Sequence, residues 1–407
     1  MSWLAKYSFL SDKLIRNLFF ADVFGSVEAG LTNFILTLYV ASTYHNTFYL
    51  GLNLGLPGAI SLLVFSLSAK VDTSDKKSVL VTARSLDFIL MGLLVYVFLT
   101  HASFLVYLVI ASLSSLAFNT MGVALSSAYR QGISEQGVAA ELSSVTGTIF
   151  QVSNAASPII VGVVVELTHD LAYTLLAVLA LIFLQIYFFG RLPNLPATPR
   201  GGGESYLQSL REGFHTFREL AAKNRLYLLF TLEPIANSFL MGGSYMLVIG
   251  LLFGVKLFAF KLGLLNALGA AGTAAGTFLA GWVKPRSGAQ VYLLYTLAFS
   301  MDVVVALFPI YPVIVTLLTL AGIIFYVGDV HRSAYQFVSV PKEYYARVSS
   351  FTSLLTALSG IVGALFTTYL GTVYTPDRAY LAVTLGATLI SAAMLASKTV
   401  RHNKLEK

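Results

Sequence analysis

The chain has 407 residues, a net charge of +7 and no cysteine, and 57% of it is apolar against 11% charged. A soluble chain carries about a quarter charged residues, so this one cannot hide its apolar surface in a water-soluble core and takes lipid as its solvent. The absence of cysteine excludes disulfides and thiolate chemistry, and the basic residues gather at the ends of apolar runs rather than on one stripe, which excludes nucleic acid as the partner.

A membrane span needs about 20 apolar residues. The first six candidate runs are Leu14–Ser42, Phe48–Ala69, Val79–His101, Ser103–Tyr129, Leu142–Leu167 and Leu171–Gly190. The second six are Leu226–Phe253, Phe258–Val283, Ala289–Pro309, Tyr311–Val330, Val348–Gly371 and Ala379–Ala396. The first run is longer than a signal-peptide core and reads as a retained span. With both termini cytoplasmic, the inner segments hold 23 of the 26 Lys and Arg, and the outer loops only Lys256, Lys261 and Arg378. That bias follows the positive-inside rule. The predicted fold class is an all-α membrane protein of twelve transmembrane helices in two pseudo-symmetric six-helix bundles. Residues 1–190 form the first, 226–407 the second, and 191–225 a cytoplasmic linker between them.

A repeat supports the two halves. In Ser127–Ser144, the residues Ser127, Ala128, Tyr129, Ala140, Ser143 and Ser144 each match a residue 206 positions later. Thr146 with Thr352 and Ser153 with Ser359 continue the register. Such a parallel duplication is a common way to build a transporter. In the linker, Pro193, Pro196, Pro199 and Gly201–Gly203 break regular structure. Tyr206, Leu207, Leu210, Phe214, Phe217 and Leu220 then recur at helical spacing opposite Arg211, Glu212, Arg218 and Glu219. This predicts an amphipathic helix, either on the inner membrane surface or serving as a solvated tether. Gly263, Gly269, Gly272, Gly276 and Gly281 punctuate the eighth span, where small residues let helices approach closely in lipid.

Ionisable groups at the centre of a membrane helix cost about 2.5–3.5 kcal/mol, so they face a cavity or a partner. Glu28 stands mid-way along the first span, either as a proton-coupling group or as a neutral, hydrogen-bonded structural acid. Asp22 lies nearer the inner end, as a proton-entry group or a rim partner for Lys13 or Arg16. Glu233 occupies the seventh span beside Pro234, which loosens the helix there. Asp87 follows Arg84 by three residues and pairs with it locally; Asp329 and Arg332 form a similar rim pair. His331 is a proton sensor or a plain interfacial histidine, and Asp302 has no local base and no assigned role. His-x-x-x-His, Gly-x-Ser-x-Gly and a glycine-rich phosphate loop with lysine are all missing, so no catalytic residue, metal or cofactor is expected.

Two motifs then carry a resemblance. After the second span, Ser68-Ala-Lys-Val-Asp72-Thr-Ser-Asp75-Lys76-Lys77 follows the pattern Gly-x-x-x-Asp-Arg-x-Gly-Arg-Arg in its acid and its two trailing bases. In the fifth span, Ser157-Pro158-Ile-Ile-Val-Gly162 follows Gly-Pro-x-x-Gly-Gly. With the 6+6 layout and the central inner loop, nearly the whole chain resembles the major facilitator superfamily, and within it the drug/proton-antiporter-like exporters. Asp72 is then a gating latch, grouped with Lys76, Lys77 and Arg130 at the inner rim; the alternative is a charge run that only fixes topology. Where the family carries an arginine inside the fourth span, this chain has Arg130 at the span's cytoplasmic end. Ser157, Pro158 and Gly162 mark a bend with close helix contact.

The resemblance places the first, fourth, seventh and tenth spans around a cavity, so Glu28 and Glu233 could face one another. Asn33, Asn119 and Asn237 on these spans, and Gln151 and Asn154 on the fifth, line that cavity or bridge helices. The implied function is secondary active transport by alternating access: proton-coupled export of a small amphipathic or hydrophobic compound through Glu28, with Glu233 or Asp22 as relay. The alternative is an importer or facilitator of a metabolite, or a lysolipid-type transporter. The implied partners are membrane lipids, a small-molecule substrate and protons, for a monomer in the plasma or inner membrane.

Overall fold

The computed structural model describes residues 8–62, 71, 74–133, 136–195, 206–340 and 345–402, and the elements among them are helices. After a 3-10 turn at Ser8–Ser11 come α1 (Lys13–Tyr44), α2 (Thr47–Ser61), α3 (Lys76–Thr100), α4 (Phe104–Gly132), α5 (Gln136–Thr168) and α6 (Ala172–Gly190). The remainder are α7 (Tyr206–Lys223), α8 (Arg225–Met241), α9 (Ser244–Leu251), α10 (Phe258–Leu279), α11 (Gly288–Leu307), α12 (Tyr311–Ser339), α13 (Tyr345–Val373), α14 (Pro376–Ala396) and α15 (Lys398–His402). Among the described residues, 11 segments are long and apolar enough to cross a membrane, with α8 and α9 counted as one. The expected second span, Phe48–Ala69, is described only as far as residue 62, and the 15-residue α2 ends within it at Ser61.

Local chemistry sets the helix ends. Asp75 caps α3 by accepting from the Ser78 amide at 2.8 Å, and Asn224 caps α8 through the Tyr227 amide at 3.0 Å, each satisfying a donor that a helix start leaves bare. His45, His101 and His169 follow α1, α3 and α5 with φ of 47°, 48° and 56°. They take the left-handed closing position that glycine or asparagine usually fills. The seventh span, expected to run unbroken over Leu226–Phe253, divides at Gly242–Gly243. A Cβ on Gly242 would stand 2.5 Å from the Gly360 carbonyl, so only glycine lets the chain turn against α13 there.

On α3 the outward face is apolar, while the inward face carries the helix's ionisable pair among apolar neighbours. α3 buries Arg84, Asp87, Met91 and Leu94 and exposes Leu86, Ile89, Leu93 and Tyr96. This inversion suits lipid and would be untenable in water.

The chain divides into two compact units. Unit 1 comprises Met1–Tyr39, Leu56–Gly203 and Ala259–Ala267. Its core gathers Leu18, Ala21, Leu80, Met121, Ala124 and Phe189. Here α5 meets the start of α10 backbone to backbone: a Cβ on Gly162 would lie 2.8 Å from the Ala259 carbonyl, and one on Gly263 would collide with the Pro158 carbonyl. The Glu166 carboxylate accepts from the Phe260 amide in the first turn of α10 at 3.5 Å.

Unit 2 comprises Val40–Gly55, Glu204–Phe258 and Leu268–Lys407. Leu226, Phe230, Tyr292, Tyr295, Phe299 and Ala387 centre its core. The amphipathic α7 belongs to this unit. Its Phe214 and Phe217 rings lie 5.5 and 5.8 Å from Phe351 of α13, and Phe217 lies 6.2 Å from Tyr227 of α8. Part of the apolar face expected on the membrane surface or in a tether is thus packed on protein.

Candidate functional site

Each unit contains a buried cluster built around one arginine. In unit 1, Glu28 of α1, Arg84 and Asp87 of α3, Ser114 of α4 and Gln185 of α6 are all at least 97% buried. The Arg84 Nη2 donates to Glu28 Oε2 at 2.6 Å and to Gln185 Oε1 at 2.7 Å, and Nε donates to Gln185 Oε1 at 2.9 Å. Nη1 pairs with Asp87 Oδ2. Thr32 donates to Glu28 Oε1 at 3.0 Å and Ser114 to Asp87 Oδ1 at 2.5 Å. The guanidinium also lies 5.2 Å from the centre of the Phe118 ring, a cation–π contact. The sequence reading pairs Arg84 with Asp87 alone and leaves Glu28 without a partner. The structure puts both acids on the same guanidinium, because α1 and α3 bring their polar faces together inside the unit.

In unit 2, Arg332 of α12 holds Asp329 through Nε at 3.1 Å and Nη2 at 2.5 Å. Its Nη1 donates to the Phe230 carbonyl of α8 at 3.3 Å. Glu233, 2% exposed, accepts from the Asn237 amide one turn later. The charges of Arg332 and Asp329 both act on Glu233. Tyr292 and Tyr295 of α11 are fully buried within the field of Glu233 and Arg332. Asn237 Oδ1 and the Tyr292 hydroxyl find no hydrogen-bond partner among the described residues.

Beside this cluster lies a cavity of about 460 Å³ between α8, α12 and α13. Thr231, Ser333, Ser349, Thr352, Ser353 and Thr356 line it with hydroxyls, joined by Tyr227, Arg332 and Gln336. Pro234, next to Glu233, forms part of its wall, and Phe337, Val340, Val348 and Ala357 make its apolar side. This size and mixed lining suit a small ligand held by a few hydrogen bonds over an apolar floor.

The remaining candidates scatter. Asp22 accepts from the Tyr129 hydroxyl at 3.3 Å, a partner in α4 in place of the expected Lys13 or Arg16. Asn119 donates to the Ser115 carbonyl of its own helix at 2.7 Å. Asn33 and Gln151 are exposed and Asn154 is partly buried. Ser157 is buried against α1, where a Cβ on Gly30 would lie 2.8 Å from its hydroxyl. Lys76 is fully buried, its ammonium donating to the Val71 carbonyl at 2.8 Å and the Ser74 carbonyl at 3.0 Å. It knots the loop before α3, Lys77 stands beside it partly exposed, and Arg130 falls in the last turn of α4. Asp72 lies outside the described residues, as do residues 196–205 of the linker. His331 Nε2 bonds the carbonyls of Ala280 and Val283 at 3.0 and 2.8 Å. Among the described residues, no three His, Cys, Asp or Glu are grouped to hold a metal ion.

Sequence reasoning missed Gln185 and Gln336. Both carried a signal. Gln185 is a lone amide in the apolar sixth span, and Gln336 stands one helical turn after Arg332.

Over nearly its whole length this is the major facilitator fold of a multi-pass membrane protein. The chain is similar to the nucleoside transporter NupG, at 15% identity and a TM-score of 0.73, covering 94% of this chain and 98% of that one. It is also similar to a bacterial homologue of the human lysosomal transporter Spinster, solved in an inward-facing and occupied conformation, with 14% identity, a TM-score of 0.68 and 95% and 96% coverage. A POT family transporter in complex with a thioalcohol-conjugated peptide matches at 13% identity and a TM-score of 0.65, over 93% and 95% of the two chains. No protein-family model matches the sequence, and neither does any curated protein.

Proposed function

We propose that the protein is a secondary transporter working by alternating access, and that it carries a small polar solute which docks in the hydroxyl-lined cavity of unit 2. The observation that carries this reading is the lining: six Ser and Thr, one amide and one guanidinium around about 460 Å³. Thr231, Thr352 and Thr356 donate to backbone carbonyls, which leaves their oxygens as acceptors, and Ser333 and Ser353 are exposed, so the solute that fits is one that exchanges hydrogen bonds with hydroxyls. The solved structures of this fold named above include a nucleoside transporter and a peptide transporter, and a solute of that polarity and size accords with the cavity.

The coupling ion in this reading is a proton, and Glu233 is the group that takes it. Glu28, the first candidate by sequence, shares Arg84 with Asp87 inside a closed network. Among the described residues no cation is bonded to Glu233, which adjoins the cavity wall through Pro234. A second reading, proton-coupled export of an amphipathic compound, draws support from Tyr227, Phe337, Val340 and Val348 on the same cavity. Export is the direction that the Ser157-Pro158-Ile-Ile-Val-Gly162 segment favours.

The test is a thermal-shift screen of the purified protein against nucleosides, sugars, short peptides and hydrophobic amines. Transport of the stabilising compound in proteoliposomes under an imposed pH gradient follows. The expected result is stabilisation by a hydroxylated solute and gradient-dependent flux that Glu233→Gln abolishes and that Glu28→Gln retains per folded molecule, its loss falling on stability instead. Stabilisation by hydrophobic amines alone would remove the polar-solute reading, and gradient-driven flux undiminished in Glu233→Gln would remove the coupling role.

A further inference from the structure

Pro234 has no amide proton, so the carbonyl four residues earlier in α8, that of Phe230, loses its helical donor. Helix-breaking prolines survive in membrane spans when neighbouring groups satisfy the carbonyl they free. Here α12 does so twice, with Arg332 Nη1 at 3.3 Å and Gln336 Nε2 at 3.1 Å. Gln336 Nε2 also reaches the Thr231 hydroxyl at 3.0 Å. Arg332 and Gln336 are the guanidinium and the amide that line the cavity. One carbonyl, opened by one proline, therefore holds both of these donors at the cavity wall.

The residue beside that proline is Glu233, and the charge inventory around it is uneven. Among the described side chains, Arg332 is the cation that acts on two acids, Asp329 and Glu233. Asp329 takes Nε and Nη2, the Phe230 carbonyl takes Nη1, and Glu233 is left with Asn237. On α11, the buried Tyr292 and Tyr295 lie within the field of both Glu233 and Arg332. Among the described side chains, the charges acting on Glu233 are those of Arg332 and Asp329, and the other helices that pack on α8, namely α7, α9, α13, α14 and α15, add none to it.

We propose that Arg332 is a proton-operated positioning residue that switches between two acceptors on α8, the Phe230 carbonyl and the Glu233 carboxylate. With a proton on Glu233, the guanidinium rests on Phe230 and Asp329, as in this structure. When the proton leaves to water, the ionised carboxylate draws Arg332 off the carbonyl, Gln336 alone holds Phe230, and the cavity loses its cation. Solutes that accept hydrogen bonds therefore bind better to the protonated protein. The device rests on the transport reading for its purpose but not for its detection.

The chain has no cysteine, so a single Ser353→Cys places one nitroxide in the cavity of the full-length protein. Its electron paramagnetic resonance line shape is recorded from about pH 5 to about pH 9, where buried carboxyls can titrate, with no solute present. The expected result is one pH transition in the labelled parent and none in Glu233→Gln. Pro234→Ala restores the in-helix donor to Phe230, and its label should show the high-pH line shape throughout. A label at Leu389→Cys, exposed on α14, should stay flat and serves as control. A transition that survives Glu233→Gln, or a Pro234→Ala protein that titrates like the parent, overturns the switch. A flat parent profile where the unlabelled protein accumulates solute removes the switch and spares the transport reading. An intact transition where the unlabelled protein moves no solute does the reverse.

Discussion

The two buried clusters contain the same charges, two carboxylates and one guanidinium, and differ in how completely those charges are closed. In unit 1 the Arg84 guanidinium touches both acids and Gln185, and the Arg84 and Glu28 side chains are 0% and 2% exposed. In unit 2 Arg332 and Asp329 are 11% and 26% exposed, a backbone carbonyl stands where the second acid would be, and a cavity opens alongside. A buried ion cluster is weak evidence for stability but strong evidence that its members cannot be removed singly. The closed cluster therefore reads as a keystone between α1, α3, α4 and α6, and the open one as the place where charge can move. In the proposed reading, the acid that takes the proton is singled out by its partners and not by its depth.

The largest effect separates the two arginines. Arg84→Leu strands two buried carboxylates and should destabilise the protein by about 3–5 kcal/mol, the cost of breaking a buried pair from one side. Arg332→Leu should cost about half as much on the same grounds, because Asp329 retains access to water. Adding Glu28→Gln and Asp87→Asn to Arg84→Leu should recover most of the loss. Unfolding in mixed micelles measures all three. Equal costs for the two arginines would erase the distinction between keystone and switch.

Much of this was legible in the sequence, and what was not has a physical reason. The acids Glu28 and Glu233 were visible because hydrocarbon tolerates few of them, and the helix of Arg84 and Asp87 was visible through i,i+3 spacing. The partnership of Glu28 with Arg84 was not, since it joins residues 56 positions apart and depends on how α1 and α3 are rotated. The cavity was also hidden. Its hydroxyls come from three helices, and Ser and Thr in membrane spans more often bond their own backbone, as Thr352 and Thr356 do here. The break at Gly242–Gly243 could have been read from the glycine pair itself.

The duplicated tyrosines sharpen the comparison at smaller scale. Tyr129 and Tyr335, matched by the 206-residue offset, each reach from the end of one helix to a polar group on or beside another. Tyr129 donates to the half-buried Asp22 of α1, and Tyr335 accepts from Asn224 Nδ2, at the start of α8, at 3.0 Å. Tyr129→Phe leaves a carboxylate short of a donor inside unit 1 and should cost about 1–3 kcal/mol, whereas Tyr335→Phe should cost about 0.5–1.5 kcal/mol. The reverse order, read by the same unfolding assay, would mean that Asp22 is served by water and that the first unit is more open than its packing implies.

The smallest contrast lies at the two helix caps, which are alike in geometry and unlike in charge. Asp75 begins α3 in unit 1 and Asn224 begins α8 in unit 2, and replacing either by Ala should cost about 0.5–2 kcal/mol. Only the first should depend on pH. Slight burial raises the Asp75 carboxyl, but the Ser78 hydroxyl and amide, the Leu195 amide and the charge of Lys77 together outweigh it and hold the group below its usual range. A carboxyl lowered on folding stabilises the native state above its unfolded pKa, and that contribution disappears as pH falls through the folded value. The cost of Asp75→Ala should therefore shrink on acidification below about pH 4, the ordinary range of an aspartate, while that of Asn224→Ala stays level. Asp75→Asn, which keeps a capping oxygen and removes the titrating proton, should flatten the profile with little loss at neutral pH. If the Asp75→Ala cost were the same in acid as at neutrality, the cap would act through geometry alone and the two units would be equivalent at these helix starts.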